Sequence, residues 1–550
     1  MRITLITPYY LDSRKERMKE LNYCLRKNLN NSLISEVVLV TDTPINIHFH
    51  KKLTVINIGR RQMFSDLSNL ANSINPNGLN IVCNADIYFK EEDVLKLSKI
   101  DYTDTVLALS RWNINKKGGP TLQSNSDSQD SWIWCGVLDV DGNFNMGQRG
   151  IDNRIAFELG KNYNVINPGH TIKSYHLHIS EMRNYTGKSV AVPPPYLRVP
   201  NCHYSGKKIK KVLHIGLNPQ GQSELGNMLK SFGKYFFFDW QKILKDTDIV
   251  TMRERLIKVN NIFKPDLIFM QIQTPNIITP EVASKFHGFV LNFTGDVRED
   301  VNWFKYLSKY IDATTFTNET DTEALREEGI NTRFLQIGFE SKIFTPEGKR
   351  LPKSVYPNPD IVFMANHYGD KFPLSGERYH IANRLQCTYK NRFLLCGQGW
   401  EIPSINLMGR MKDEAMVYRT CKIAINANHF LHKRFSSDRI FRIMGSGAFC
   451  LTRWYPGIEK DFVDGVHLRT FKTLDEMIFL IDYYLKNEDE RISIARTGCG
   501  LVHEKFTWMA NKNLIKQIAS FPQNKIKLKE IIFTKPMSNT EWRTYLSEPE

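Results

Sequence analysis

Three residues that follow a predicted buried strand, Asn84-Ala85-Asp86, are the most informative chemical feature of the sequence. They come directly after the apolar run Leu-Asn-Ile-Val-Cys at 79–83. A strand that stops at a carboxylate presents it at the edge of a sheet, where it can hold a divalent cation against a diphosphate. Oxygen ligands of this kind suit Mg²⁺ or Mn²⁺. Because strands also end ordinarily in Asp and a turn, the motif gains its weight from the residues downstream.

Two further carboxylates follow at positions that suit proton transfer. Asp152, in the run Gly-Ile-Asp-Asn-Arg at 150–154, is the first candidate for a general base that takes the proton from an acceptor hydroxyl. Asp130, in the aromatic segment 128–134, is the second. The structural alternative is that Asp152 and Asn153 cap a helix over 154–159.

Two histidines lie on a late predicted strand, in the segment 175–180. Neutral imidazole is a suitable ligand for Mn²⁺. We expect His176 to point to the opposite face of the strand, so that one of the two histidines is structural, which of them being left open. The family resemblance described next implies that Asp86 and His178 are the metal ligands.

This order (strand-end Asp, aromatic segment, Gly-x-Asp-Asn, late His) resembles metal-dependent glycosyltransferases of the GT-A fold over roughly residues 1–190. The resemblance implies that Thr7 and Tyr9, at the end of the first predicted strand, hold the nucleobase. It also implies that Trp132 and Trp134 stack on an acceptor ring, unless they are core residues. The first position of the metal motif is Asn84 where the family has Asp, which removes one carboxylate from the predicted donor site.

A second constellation lies in the segment 436–447, Ser-Ser-Asp-Arg-Ile-Phe-Arg-Ile-Met-Gly-Ser-Gly. Ser437 precedes a predicted helix, whose first backbone N–H groups and positive dipole end favour an anion. Arg439 adds a cation suited to bidentate contact with phosphate. Gly445 and Ser446 allow a tight turn into the next strand, and we predict that they also contact the nucleotide sugar.

Residues 211–520 resemble GT-B glycosyltransferases of the spore-maturation type within the family 4-like group, on this segment and on the ending Glu-Lys-Phe-Thr-Trp at 504–508. The resemblance implies metal-independent binding of a nucleotide-diphosphate sugar. The family commonly has Glu, which accepts hydrogen bonds from the ribose, where this chain has Arg442. Since a guanidinium cannot accept those bonds, we expect Arg442 to contact the diphosphate or ribose recognition to differ.

Several other residues of this half fall at predicted strand ends that face one cleft. Asp296, in the Gly-Asp turn after the run 288–293, is the candidate base or acceptor-orienting carboxylate. Gly216 begins a loop to Gly221 that resembles the acceptor-side glycine loop. The predicted donor side adds Arg378, Gly397 and Asn426.

The elements that must position these residues alternate in the order of an α/β protein. The runs at 3–6 and 37–40 predict strands, and the helical spacing at 13–29 between them gives a βαβ rhythm. The 550 residues predict several domains. The boundaries we predict are a GT-A-like domain at 1–190, a proline-containing linker at 191–210, two Rossmann-like domains at 211–350 and 351–520, and a tail at 521–550 that crosses back over the first of the Rossmann pair.

The composition of the chain indicates its compartment and the kinds of partner it can bind. Nine scattered cysteines without a C-x-x-C pair favour reduced thiols in a cytoplasm. No apolar run approaches the roughly 20 residues that cross a bilayer. The net charge of +16 suits binding to phosphates, in nucleotide donors or nucleic acid, or to an anionic membrane face. The alternative is that an AT-rich genome enriches the protein in Lys and Asn without any such partner.

We predict a glycosyltransferase with two active sites that acts in glycan assembly. One alternative acceptor is DNA with hydroxymethylated pyrimidines, whose binding would weaken steeply with salt. Another alternative, prompted by Asn84 and Arg442, is a non-catalytic scaffold that binds sugar-nucleotides or glycans.

Overall fold

The computed structural model describes residues 1–114, 119–179, 191–217, 219–297, 301–352, 359–406, 410–523 and 525–526. They form two compact units. The first comprises Met1–Lys208 with Ala324–Asn331 and Gln517–Ile526, and the second comprises Ile209–Glu323 with Thr332–Lys516. The division at residue 208 falls inside the predicted linker. Of the predicted tail, residues 524 and 527–550 lie outside the described residues, and the segment 517–526 belongs to the first unit.

The first unit contains a main sheet of seven strands in the order β10-β6-β9-β4-β1-β2-β3, and a small sheet in the order β5-β11-β7-β8. In the main sheet only β9 runs antiparallel to its neighbours, β4 and β6. The elements are β1 (Ile3–Tyr9), α1 (Lys15–Leu29), β2 (Glu36–Thr41), β3 (Leu53–Asn57), α2 (Phe64–Ile74), β4 (Leu79–Cys83), β5 (Ile87–Tyr88), α3 (Glu91–Leu97), β6 (Thr105–Leu109), β7 (Arg111–Asn113), β8 (Thr121–Leu122), β9 (Ser131–Cys135), α4 (Ile151–Gly160), β10 (Asn164–Ile166) and β11 (Ser174–His176).

Burial explains why these segments pair as they do. All five residues of β4 are buried, which requires cover on both faces of the sheet. Helix α2 supplies part of that cover, because its buried residues Phe64, Leu67, Ser68 and Ala71 recur with helical spacing. The central strand β4 then ends at Cys83, and Asp86 comes three residues later at the edge of the sheet.

The second unit contains two sheets, which define two lobes: lobe A holds strands β12–β17 and lobe B holds strands β18–β22. The elements are β12 (Lys211–Gly216), α5 (Ser223–Lys230), β13 (Lys234–Asp239), α6 (Trp240–Asp246), α7 (Ile249–Phe263), β14 (Leu267–Met270), α8 (Pro280–Ser284), β15 (Phe289–Thr294), α9 (Asn302–Ser308), β16 (Ala313–Phe316), α10 (Glu319–Glu327), β17 (Thr332–Phe334), β18 (Ile361–Met364), α11 (Ser375–Tyr389), β19 (Phe393–Cys396), α12 (Met411–Thr420), β20 (Ile423–Asn426), α13 (Asp438–Gly445), β21 (Phe449–Arg453), β22 (Arg469–Phe471), α14 (Leu474–Lys486), α15 (Glu488–Lys505) and α16 (Lys512–Ala519).

Every strand pairing in the two lobes is parallel, in the orders β13-β12-β14-β15-β16-β17 and β19-β18-β20-β21-β22. Their central strands are fully buried apolar runs, such as Ile361–Met364, as expected for parallel sheets covered by helices. The predicted α/β class with several parallel sheets is therefore confirmed. Open parallel sheets bind ligands at the carboxyl ends of their strands, so a ligand is expected near the residues that follow β15 and β20.

Candidate functional site

Asp86 is the centre of a buried polar cluster in the first unit. Its carboxylate is 8% exposed, and Oδ2 accepts hydrogen bonds from Arg17 Nη2 at 2.6 Å and faces His176 Nε2 at 3.2 Å. Ligand atoms of Asp86, His176 and His178 all lie within 4.8 Å of one another. Although burial alone would raise it, His176 and Arg17 hold the pKa of Asp86 well below its ordinary value. The carboxylate is therefore ionised at neutral pH.

The proton on His176 can be assigned from its neighbours. Asn113 Oδ1 accepts a hydrogen bond from Arg111 Nε at 3.1 Å, which identifies this atom as the oxygen of the amide. The same oxygen lies 2.9 Å from His176 Nδ1. Nδ1 therefore carries a proton, and in a neutral ring Nε2 presents its lone pair to Asp86 Oδ2. Two acceptors 3.2 Å apart require a positive charge between them, either a second proton or a metal ion. A histidine whose far nitrogen is fixed by an amide oxygen is typical of metal ligation, so the residues fit a divalent cation.

The prediction that His176 points away from the site was wrong. Residues two apart on a strand share a face, and His176 and His178 accordingly lie together, with their rings 5.5 Å apart edge to face. Strand β11 ends at His176 and pairs with β5, and Leu177 N–H donates to Asp86 O at 3.0 Å. The pairing brings both imidazoles to the carboxylate. Ser180 of the same predicted motif lies outside the described residues.

A second acidic cluster surrounds Asp130, which is 4% exposed. Its Oδ1 accepts hydrogen bonds from Asn84 Nδ2 at 3.0 Å and Arg111 Nη1 at 3.1 Å. Burial, and next the charge of Asp130, raise the pKa of Asp152 well above its ordinary value, while Arg111 lowers it. The structure thus brings both predicted base residues together around Arg111. The amide of Asn84 serves this cluster by orienting Asp130.

The alternative that Asp152 and Asn153 cap a helix was wrong. Helix α4 begins at Ile151, and its N-cap residue is Gly150 with φ 78°. The left-handed conformation of Gly150 allows the chain to enter the helix earlier than predicted. Asp152 consequently lies in the first turn, half-buried, where the helix dipole favours a negative charge.

Two predicted contacts in the first unit fail because the side chains are core residues. Tyr9 is 1% exposed, and its hydroxyl donates to Asn22 Oδ1 at 2.9 Å, so it is not presented to a nucleobase. Thr7 is 5% exposed. Trp132 and Trp134 are 0% and 1% exposed, so neither can stack on an acceptor ring. Side chains alternate between the two faces of β9, but both faces of this strand are covered, so neither tryptophan is exposed.

The second unit contains a buried cation with few partners. Arg378 on α11 is 1% exposed; its Nη1 contacts His429 Nε2, and its Nε and Nη2 have no hydrogen-bond partner. Burial, and next the charge of Arg439, lower the pKa of Arg378. Arginine nevertheless stays protonated, so the fold carries an uncompensated positive charge. Burial, followed by Arg378 and Arg439, also lowers the pKa of His429 to about 3, which keeps this ring neutral as the acceptor.

Arg439 adds a second guanidinium at the same strand edge. Its Nη1 donates to Asn426 Oδ1 at 3.2 Å and Ala427 O at 3.1 Å, and Ser437 Oγ donates to the same Asn426 oxygen at 3.4 Å. Within the described part of the chain, neither Arg378 nor Arg439 forms an ion pair with a carboxylate. We call Arg378 and Arg439 the arginine pair. Asn426 ends β20 and Ser437 is the N-cap of α13, so the predicted residues Arg378, Asn426, Ser437 and Arg439 are brought together.

Three other residues of this predicted motif serve different purposes. Arg442 pairs with Glu414 at 2.9 Å and with Asp438 at 2.6 Å, so its charge is already balanced. Gly445 ends α13, where an added Cβ would lie 2.5 Å from the Phe339 ring, and Ser446 is the C-cap. The C-terminus of a helix carries the negative end of its dipole. Gly445 and Ser446, which we predicted to contact the nucleotide sugar, therefore lie at the helix end that does not favour an anion.

Two predicted glycines are also explained by packing. An added Cβ at Gly397 would lie 1.9 Å from Ala365 O, and φ there is 141°. At Gly216, which ends β12, a Cβ would lie 2.8 Å from both Gln271 Oε1 and His214 Nε2. Both positions need glycine for close approach, and neither requires a ligand to explain it.

Asp296 is exposed in the turn after β15 and lines a cleft of about 940 Å³ in the second unit. Gln273 Oε1 accepts its backbone N–H at 3.2 Å. Residues of both lobes line this cleft, among them Gly221, Glu340, Asp438 and Arg442. Arg298, next to the predicted turn, lies outside the described residues, as does residue 218 of the glycine loop.

Sequence reasoning missed Arg17, Arg111, His429 and Glu414. Arg17 offered a signal, because it occupies the apolar face of α1, four and seven residues before Leu21 and Cys24. A charged residue at such a position needs a buried partner, here Asp86 and Glu20. The other three offered no comparable signal, since their partners are distant in sequence.

The comparisons with known proteins bear on the second unit. Residues 378–517, about a quarter of the chain, match the family model described as glycosyl transferase-like. No curated protein matches the chain significantly. No helix in the described segments is both long and apolar enough to cross a membrane.

Solved structures with low identity resemble part of the chain. A glycosyltransferase from Rickettsia africae is 13% identical, with 57% of this chain and 99% of that one covered and a TM-score of 0.43. Anabaena HepE in complex with UDP-glucose is 13% identical, with coverages of 56% and 99% and a TM-score of 0.41. A trehalose 6-phosphate synthase from Burkholderia multivorans is 10% identical, with coverages of 57% and 99% and a TM-score of 0.43. The segment that resembles the glycosyl transferase-like family, residues 378–517, begins at Arg378 and includes Arg439 of the arginine pair.

Proposed function

We propose that the chain is a glycosyltransferase whose second unit binds a nucleotide-diphosphate sugar at the arginine pair. The observation that carries this proposal is the buried guanidinium of Arg378, whose Nε and Nη2 have no partner. Leaving a buried charge unpaired costs several kcal/mol, and a diphosphate would supply both the negative charge and the acceptors. Arg439 lies close enough to lower the pKa of Arg378, so one dianionic group can serve both.

The surrounding backbone suits the same ligand. Ser437 is the N-cap of α13, but its hydroxyl accepts no hydrogen bond from the first turn, so the first N–H groups of this helix are available to an anion. During transfer the bond between the anomeric carbon and the diphosphate oxygen breaks, and negative charge grows on the leaving group. Preorganised cations and N–H groups stabilise that charge without reorganising.

Asp296 is the proposed base for the second unit. Its carboxylate is exposed at the carboxyl edge of lobe A and lines the cleft that Asp438 and Arg442 line from lobe B. As an acceptor hydroxyl attacks the anomeric carbon, this carboxylate takes or orients the hydroxyl proton.

A second donor site is proposed in the first unit, on the arrangement of Asp86, His176 and His178. These residues would hold Mn²⁺ or Mg²⁺, which when bound neutralises the diphosphate of a nucleotide sugar. Asp152 is the proposed base, oriented within the cluster of Asp130 and Arg111. Two donor sites in one chain suit successive additions to one growing acceptor.

The raised pKa of Asp152 predicts how the stability of the first unit depends on pH. Because the folded pKa lies above the unfolded one, the protonated carboxyl favours folding, and this stabilisation is lost as pH rises through the folded pKa. Replacing Asp152 with asparagine should therefore stabilise the protein at neutral pH. The gap in urea-unfolding free energy between variant and wild type should widen as pH rises from below the unfolded pKa of Asp152 through its folded pKa.

Asp139 is an exposed carboxylate in the same unit and serves as the control. Asp139→Asn should leave the unfolding free energy close to wild type at each pH. A gap for Asp152→Asn that stays constant with pH would mean that Asp152 is not the strained carboxyl we infer.

Calorimetric titration with UDP, GDP, CDP, ADP and dTDP tests the proposed function directly. With EDTA present, at least one nucleotide should bind the second unit, and Arg439→Met should weaken that binding. With Mn²⁺ present, binding at a second site should appear, and Arg439→Met should not affect it. If no nucleotide diphosphate binds in either buffer, the proposal is wrong.

A further inference from the structure

The lobe A side of the cleft in the second unit carries four amide side chains. We call Gln222, Gln241, Gln271 and Gln273 the amide wall; Trp240 and Thr274 line the cleft beside it. Asp296 is close by, since its N–H donates to Gln273. No Lys or Arg of lobe A is among the described residues that line this cleft.

Two polar atoms in this lining are buried without partners. Trp240 Nε1 is a donor, and Gln222 Oε1 is an acceptor. An unsatisfied buried polar atom costs about 1–3 kcal/mol, so a ligand group that hydrogen-bonded to either atom would offset that cost. A hydroxyl group both donates and accepts and can serve both kinds of atom, whereas an ionised phosphate only accepts.

Part of the amide wall is held rigidly in place. Gln271 Oε1 lies 2.9 Å from His214 Nε2, and His214 Nδ1 lies 2.9 Å from the Tyr235 hydroxyl. The absence of a side chain at Gly216 provides the room for Gln271. Because Gln271 is already held by His214, its side chain loses little conformational entropy when a ligand binds, which favours a specific ligand.

The charges in the cleft are distributed unevenly between the lobes. Among the described residues that line it, the cations Arg410, Lys412 and Arg442 are all on the lobe B side, which is the proposed donor side. The lining charges of lobe A are the carboxylates Asp296 and Glu340, and Glu340 already accepts from Ser223 Oγ and Glu224 N–H. A nucleic acid backbone needs Lys or Arg where it lies, and here it would meet amides and carboxylates.

We propose that the acceptor of the second unit is a neutral saccharide, held by the amide wall and Trp240 with one hydroxyl at Asp296. This inference rests on the proposed glycosyl transfer and names its acceptor class. The cleft volume of about 940 Å³ lies in the range of ligand pockets and leaves room for both a donor sugar and an acceptor.

The test is calorimetry of the full chain, saturated with the nucleotide diphosphate that binds in EDTA. The probes are maltotriose, cellotriose, chitotriose, a sulfated heparin hexasaccharide, and a DNA duplex containing hydroxymethylcytosine. At least one neutral trisaccharide should bind, and its Kd should change less than about twofold from about 50 to about 200 mM salt, because no phosphates are neutralised.

Trp240→Phe removes the indole N–H but keeps an aromatic ring, and Gln222→Leu removes the amide. Each should weaken saccharide binding about tenfold, the loss of one hydrogen bond to a buried group, while nucleotide affinity stays within about twofold. Trp303→Phe is the matched control, since Trp303 packs on Phe304 on α9 and does not line the cleft. It should change neither affinity.

Each contrary outcome points to a different error. Binding of the duplex with a loss of about 10³-fold or more over that salt range would make DNA the acceptor and overturn the inference. Binding of the sulfated hexasaccharide alone would overturn its neutral character. Nucleotide binding without any binding of a trisaccharide would overturn the acceptor class and leave the proposed function intact, whereas absence of nucleotide binding would overturn the proposed function itself.

Discussion

Replacing Arg378 with methionine is expected to make the unliganded protein more stable and to weaken nucleotide diphosphate binding by at least about 100-fold. The stabilisation follows because an apolar residue of similar length removes an uncompensated buried charge, a change worth about 1–4 kcal/mol in comparable cases. The loss of affinity follows because Nε and Nη2 would no longer donate to the diphosphate, and each hydrogen bond to a charged group contributes about 1.5–3 kcal/mol.

The two opposite effects separate a binding role from a structural one. Urea unfolding without ligand measures the first, and calorimetry with the nucleotide in EDTA measures the second. Arg392→Met is the matched control in lobe B, because Arg392 forms a surface ion pair with Asp360 at 2.6 Å and its side chain is 54% exposed. It should change stability by no more than about 1 kcal/mol and leave nucleotide affinity unaltered. A destabilised Arg378→Met that still binds nucleotide would show that Arg378 only supports the fold.

The sequence was sufficient to predict which strand ends carry polar residues. Apolar runs mark buried strands, and the residue after each run lies at a sheet edge, as Asp86, Asp296 and Asn426 do. The same rule predicts little about glycines, since Gly397 and Gly445 are required by close packing that no run of residues reveals.

Partners that are distant in sequence could not be predicted. Arg17 is 69 residues from Asp86, Arg378 is 51 from His429, and Arg442 is 28 from Glu414. Each pair joins a helix to another element, so only the packed fold decides which charges are balanced. That distinction changes the interpretation of the site. Arg442, the expected phosphate contact, is neutralised by two carboxylates, whereas Arg378 is not.

Asparagine in place of Asp86 is expected to weaken Mn²⁺ binding to the first unit by at least about 100-fold, because it removes the only charged ligand of the cluster. His176→Ala should have a similar effect. Asn113→Leu should cost about 10–100-fold, since Asn113 Oδ1 fixes the proton on His176 Nδ1 and leaves Nε2 free to bind the ion. Electron paramagnetic resonance of free Mn²⁺ measures each affinity without nucleotide. His50→Ala, whose Nδ1 accepts from Lys52 N–H in the segment before β3, is the control and should bind as wild type.

The pH dependence of this affinity decides between the two cations that can lie between Asp86 and His176. A metal ion and a proton compete for the same Nε2 lone pair, so Mn²⁺ affinity should fall as pH decreases. In Asn113→Leu the fall of Mn²⁺ affinity with decreasing pH should be spread over a wider pH range, because the tautomer of His176 is no longer fixed. If the wild-type protein binds no Mn²⁺ even at pH 8, the charge between the two groups is a proton, and Asp86 and His176 form an ion pair.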